Sequence, residues 1–181
     1  LFFCSLSFGV VNKKVTMKAL STLATIKGEV ASTSIYKIAR DIEGAKLAGL
    51  VLLAGRTDDK ATVCIKEIGR TSDEKIALAA LFYLDSRLGP EISNSIGEVG
   101  LRNHKAADSA FDILERRADP SSIRNIYKLG DKIEGMERHA FQTLFKLGHH
   151  ADAAQLVHNV LRENPIQALG IVLSNDFLRA Q

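Results

Sequence analysis

Tryptophan is absent from the 181 residues, proline occurs three times, cysteine twice, and the formal net charge is only +3. Each scarcity excludes something. Two cysteines cannot make a disulfide framework. Cys64 falls on an apolar stripe and reads as a small buried hydrophobe, while Cys4 lies far away in sequence; this usage fits a reducing compartment. A charge of +3 is too small to demand a nucleic-acid partner. The arginines Arg56, Arg70, Arg87, Arg102, Arg116, Arg117 and Arg138 fall mostly near expected helix ends, where they suit the negative end of the dipole and read as solvated surface charge. The longest apolar run in the body of the chain, Leu47 to Ala54, is far below the ~20 residues a membrane span requires. No alternating pattern reads as a strand pair, and long segments rich in Ala, Leu, Lys, Glu and Arg favour helix.

What is present is a period. Ala61/Cys64/Ile65/Ile68, Ile92/Ser95/Ile96/Val99, Ile123/Ile126/Tyr127/Gly130 and Ala153/Leu156/Val157/Val160 each occupy positions i, i+3, i+4 and i+7. That spacing is one face of an α-helix, and the sets recur at intervals of 31, 31 and 30 residues. Phe82, Phe111 and Phe141 recur at 29 and 30 residues and are read as core positions, with Ala48 as their counterpart in the first full unit. Each is followed by a break: Gly55, Leu88-Gly89-Pro90, Ala118-Asp119-Pro120 and Leu147-Gly148-His149. Glycine suits a helix C-cap and proline the first turn of the next helix. A third series agrees. Ile35-Tyr36-Lys37 and Ile42-Glu43-Gly44 recur at Ile126-Tyr127-Lys128 and Ile133-Glu134-Gly135, an offset of 91 residues or three periods. Tyr36 and Tyr127 read as packing residues with the hydroxyl at the edge.

The expected fold class is all-α: a right-handed solenoid of about five stacked helix-turn-helix repeats with a C-terminal capping helix. Helices are expected over 15–27, 32–43, 45–54, 58–69, 73–88, 90–102, 104–117, 120–132, 135–147, 150–163 and 165–179, with Ser72, Asp119 and Asn164 as N-caps or flanking residues. Residues 15–181 form a single helical-repeat domain in this reading, since no linker divides them. Residues 1–14 form an apolar extension expected to dock on a partner through Leu1, Phe2, Phe3 and Phe8. Lys13 and Lys14 follow that apolar run, whereas a secretory signal has its basic residues ahead of it. Two readings of the start stand: a product processed just before Leu1, or a biological start at Met17.

The unit from Phe141 to Pro165 resembles a pentatricopeptide repeat. Lys146, Gly148, Ala153, Leu156, Val160 and Pro165 occupy that family's positions, whereas the other units keep Gly55, Gly89 and Ala61 but mostly lack the lysine and proline. The tetratricopeptide repeat is the nearest rival, and its tryptophan and paired Gly-Tyr signature is missing. The resemblance implies either of two functions. Most pentatricopeptide proteins bind single-stranded RNA, one base per repeat; here Lys46, Glu74, Lys105 and Arg138, at comparable places in successive helices, show no recurrent amide or hydroxyl code. The alternative is a non-catalytic subunit of a large mitochondrial assembly. In size, short array and near-neutral charge the chain is similar to the extra helical-repeat subunits on the F1 head of euglenozoan ATP synthase. That likeness implies a matrix-side location after presequence removal and docking on the F1 α-type subunit in a structural role with no nucleotide site; no cofactor, metal or small-molecule substrate is expected.

Catalysis is not expected. No Gly-rich loop ending in Gly-Lys-Ser/Thr is present. His149-His150 is the most site-like pair, but no Cys or carboxylate cluster at metal spacing accompanies it, and His139 and His158 fall on neighbouring helices without a third ligand. Asp58 and Asp59 sit where a helix begins, a place that suits carboxylates whatever the chemistry.

Overall fold

The computed structural model describes residues 8–42, 44–71 and 73–173. They form eleven α-helices and one 3-10 turn, with no strand among the described residues. The helices are α1 (Phe8–Thr25), α2 (Glu29–Asp41), α3 (Lys46–Ala54), α4 (Asp59–Gly69), α5 (Glu74–Asp85) and α6 (Pro90–Arg102). After the 3-10 turn at His104–Ala106 come α7 (Ala107–Arg117), α8 (Pro120–Lys132), α9 (Glu137–Lys146), α10 (His150–Glu163) and α11 (Pro165–Leu173). Two compact units divide the chain, the first running to Leu84 and the second from Asp85. In the first, α2 packs on α1, α3 and α4, and α3 on α1 and α4. In the second, each helix from α6 to α10 packs on the next, and α6, α8 and α9 also reach the next but one, α8, α10 and α11. Adjacency of this kind follows from helical hairpins placed side by side.

The elements fall within a few residues of the sequence expectation, with one larger difference. The first helix begins at Phe8 rather than at 15, so Lys13 and Lys14 lie inside it and Met17 in its middle. Leu1, Phe2 and Phe3 lie outside the described residues, as do Ser72 and the stretch of the expected last helix beyond Leu173; Phe8 opens α1, but its side chain is likewise outside them.

The stripes are core. Of their sixteen residues all but Tyr127 and Val157 are buried, and those two are half-buried. The phenylalanine series needs a correction. Phe111 and Phe141 are buried, but Phe82 is 72% exposed and Leu81 beside it is buried. Ala48 is only half-buried, whereas Leu50 is fully enclosed. The core series is therefore Leu50, Leu81, Phe111 and Phe141, spaced by 31, 30 and 30 residues. An aromatic one position away sets a tempting but shifted count, and on a helix one residue is ~100° of rotation.

Small residues set the approach of one hairpin to the next. Ala39 faces Gly49, Gly100 faces Ala110 and Gly130 faces Ala140, each pair ten residues apart. A Cβ placed on Gly49 would sit 2.5 Å from the Ala39 methyl, and one on Gly100 2.7 Å from that of Ala110. These crossings admit no further atom, so backbone meets backbone.

The turns repeat as well. Ile42 and Ile133 end their helices in the same extended conformation (φ −112°, ψ 117° and φ −117°, ψ 113°), and Gly44 and Gly135 follow with φ of +79° and +90°. The 91-residue match is thus a shared turn. At the other kind of break the left-handed position is taken by Gly148 (φ +82°) but by Ala118 (φ 49°) in the preceding unit, while Gly55 stays at φ −73°.

Candidate interaction surfaces

Helix α11 is the most apolar surface feature of the second unit. Its sequence Pro-Ile-Gln-Ala-Leu-Gly-Ile-Val-Leu carries no charge. Ala168 and Ile171 are buried, whereas Ile166, Leu169 and Leu173 are 84%, 59% and 66% exposed. These three lie at i, i+3 and i+7, so they form one stripe, and Leu161 near the end of α10 is also exposed. One period earlier, Met136, His139 and Thr143 are the counterparts of Ile166, Leu169 and Leu173; Met136 and Thr143 are buried, and His139 is half-buried and stacked on Phe111. The correspondence is not perfect, since buried Ala168 has exposed Arg138 as its counterpart, so α11 is turned about its axis relative to α9. Val15, Met17, Ile26 and Val30, on the first two helices and the turn between them, are further exposed apolar side chains.

A polar cleft of about 670 Å³ is lined by the end of α8, the starts of α9 and α11 and the end of α10. Its wall holds Asp131, Glu134, Glu137 and Glu163 beside Lys132 and Arg162. Asn159 donates to Asp131 at 2.7 Å and to the Tyr127 hydroxyl at 3.0 Å. Hydrogen bonds from Lys132 and then Asn159 hold the Asp131 carboxyl below its ordinary range. Small-molecule pockets are mostly apolar with a few convergent polar groups; this cleft has the opposite balance.

The turn histidines do not converge. His149 lies 3.5 Å from Asp152, His150 sets its ring edge-on to Phe145, and His139 stacks on Phe111 at 4.1 Å between centroids. No group of three or more His, Cys, Asp or Glu able to hold a metal occurs among the described residues. Cys64 is buried, and desolvation pushes its thiol up to about 11, away from the thiolate a nucleophile needs. Among the described residues no helix is long and apolar enough to cross a membrane.

Two arginines expected on the surface are instead inside. Arg56 donates to the Ser32 hydroxyl at 2.6 Å, to Asp58 at 3.3 Å and to the Gly28 carbonyl at 2.9 Å, and only 9% of its side chain is exposed. Arg117 donates to the Ser93 hydroxyl at 3.0 Å and to the carbonyls of Arg87 and Gly89, each at 3.2 Å, and lies 3.7 Å from Asp119. Ser32 donates on to Asp58, and Ser93 to Asp119. Asp58 and Asp119 also cap α4 and α8 by accepting from backbone N–H groups. Burial raises both carboxyls, but the hydrogen bonds from the serine, the backbone and, at Asp58, the arginine outweigh it and leave them below the ordinary range. The signal was in the sequence: Gly28, Ser32, Arg56 and Asp58 recur as Gly89, Ser93, Arg117 and Asp119 at a single offset of 61 residues, two periods.

No protein family, curated protein or solved structure matches the chain.

Proposed function

We propose that the chain is a non-catalytic scaffold, a right-handed array of pentatricopeptide-like helical hairpins that docks on a protein partner within a larger assembly. The observation that carries this reading is the bare stripe of Ile166, Leu169 and Leu173 on an uncharged helix. Apolar side chains gain ~25 cal/mol for each Å² removed from water, and contiguous exposed patches mark surfaces that bind. In α9 the counterparts Met136 and Thr143 are buried and His139 is half-buried against Phe111 of α7, so the shape that fits the stripe is another amphipathic helix. The polar cleft and the dispersed histidines supply neither a substrate pocket nor a catalytic constellation. The partner implied by the pentatricopeptide-like unit is a mitochondrial complex, with the F1 α-type subunit as the specific candidate.

Affinity recovery of the tagged chain from its source, followed by mass spectrometry, tests the proposal. Stoichiometric recovery of a large protein complex supports it. Retention on an RNA resin that falls steeply between ~50 and ~200 mM salt, with no protein complex recovered, replaces it with the single-stranded RNA reading.

A further inference from the structure

The Arg-Ser-Asp cluster ties the start of one helix to the start of the helix one hairpin later, and it does so twice with the same residues and the same arginine contacts to the serine and the glycine carbonyl. Gly28 and Ser32 belong to the start of α2, and Arg56 and Asp58 to the turn before α4. Gly89 and Ser93 open α6, and Arg117 and Asp119 precede α8, where Ser122 adds a bond to Ser93 at 3.0 Å. Counted from the helix starts Pro90 and Pro120, 30 residues apart, a register the Gly100 and Gly130 crossings share, the counterparts between α8 and α10 are Ile123 for the serine, Leu147 for the arginine and His149 for the aspartate. None of these can rebuild the cluster: Ile123 has no hydroxyl, Leu147 no donor, and His149 is turned to Asp152 of its own helix. At that spot there is a notch of about 350 Å³ whose lining includes Ile123, Arg124, Tyr127, His149 and Asp152; the exposed Arg124 belongs to α8 itself and does not stand in for the arginine of the preceding turn.

The other end of the same helix pair is held. Asn159 of α10 donates to Tyr127 and Asp131 of α8. So α8 and α10 are pinned toward their C-terminal ends, whereas beside their N-terminal ends the two hairpins share an exposed ion pair, Lys146 to Glu115 at 3.1 Å with the lysine 75% exposed, a kind of contact that holds little. Charge-assisted hydrogen bonds are directional and fail when the groups rotate apart. Apolar contact is non-directional and permits sliding.

We infer that the α8–α10 junction is a built-in joint of the second unit. The α9–α10 hairpin, with α11 attached, pivots about the Asn159 contacts and opens or closes the notch, while α6 and α8 stay fixed by Arg117. The joint belongs to the chain itself and does not depend on what α11 binds.

Hydrogen exchange on the full chain tests it. The amides bonded within α10 just past its first turn (residues 154–158) should exchange about tenfold faster than their counterparts in α8 (residues 124–128), local opening being drawn from the least-held contacts. A helix near one end of a unit exchanges faster for that reason alone, so the decisive comparison is a graft. The triple variant Ile123→Ser, Leu147→Arg, His149→Asp should slow exchange at 154–158 to the level of 124–128, whereas His149→Asp alone, which adds only an N-cap, should not. The reverse variant Arg117→Leu should speed exchange at 124–128 to the native level of 154–158. Equal protection of the two segments in the native chain, or a folded graft that slows exchange at 154–158 no more than His149→Asp alone, overturns the joint. If the graft does not fold, the reverse variant decides: unaltered exchange at 124–128 overturns it.

Discussion

In the second unit, α7 and α8 leave no large apolar side chain exposed, and their outer faces carry Asp108, Asp112, Arg116, Arg124 and Lys128. At the other end of that unit, α11 has no charged residue and presents Ile166, Leu169 and Leu173 to solvent. Both regions bury a large apolar residue at the same place in the period, Phe111 in α7 and Ile171 in α11. They differ in what lies beyond. A capping helix of a repeat array has a polar outer face, and α11 lacks one. It is the end of the described array without the chemistry of an end, which makes it a place where the second unit has apolar surface to offer.

The comparison breaks hardest through the core beneath it. Leu156 is fully buried, and its methyl groups lie against the Gly130 backbone. Leu156→Ala should destabilise the chain by ~2–5 kcal/mol through lost burial and a cavity, read as a drop in the midpoint of urea unfolding. A loss as small as that of a surface substitution would mean that α8, α9 and α10 do not share a packed core.

Two helical glycines of the second unit, one in α8 and one in α11, sharpen the contrast. A Cβ on Gly130 would collide with the Ala140 methyl, whereas one on Gly170 would meet nothing within 4 Å. Gly130→Ala should therefore cost ~1–3 kcal/mol by overpacking. Gly170→Ala should stabilise by ~0.5–1 kcal/mol, because glycine within a helix is the more costly residue. Thermal unfolding of both variants checks the pair, and a destabilising Gly170→Ala would show that α11 is closely covered after all.

Acid should narrow the difference between the Arg117 cluster and the open α8–α10 junction. Asp119 has a folded-state pKa below its ordinary value despite the opposing effect of burial, because Ser93 and the Ser121 and Ser122 amides bond its charged form. A carboxyl depressed in this way stabilises the fold fully above the ordinary carboxylate range, near ~4, and that contribution is lost as pH falls through the folded value. Stability measured from neutral pH to pH ~2 should therefore fall less steeply in Asp119→Asn than in the native chain. Identical slopes would mean that the cluster does not hold the charged carboxylate.

Much of this arrangement was legible in the sequence, because the i, i+3, i+4, i+7 stripes state burial directly and fixed α4, α6, α8 and α10 to within a residue. The turn at Gly148 was legible for the same kind of reason, a left-handed backbone that glycine tolerates. Phe82 was misread because residue type was allowed to set the count, when the neighbouring Leu81 kept the period. The largely enclosed arginines Arg56 and Arg117 were missed because charge near a helix end suits solvent equally well, and only the four-residue recurrence at 61 positions distinguishes the two fates. The exposure of Ile166 and Leu169 was not legible at all. Whether an apolar residue is buried depends on a neighbour, and nothing in the composition of α11 says whether one is there.

That last point yields the smallest expected effect on the isolated chain and the most informative one on its associations. The double variant Ile166→Ser, Leu169→Ser alters two side chains that are 84% and 59% exposed. Its unfolding free energy should stay within ~0.5 kcal/mol of the native value for each substitution, as for surface positions generally. If α11 is the docking face, the same variant should lose the protein complex recovered with the native chain, because the apolar contact that drives association is gone while the fold is not. Unchanged recovery would place the docking surface elsewhere and leave the stripe as exposed apolar area without a role. A large loss of stability would mean that the stripe is already covered within the chain, and the contrast between α11 and α9 would fall with it.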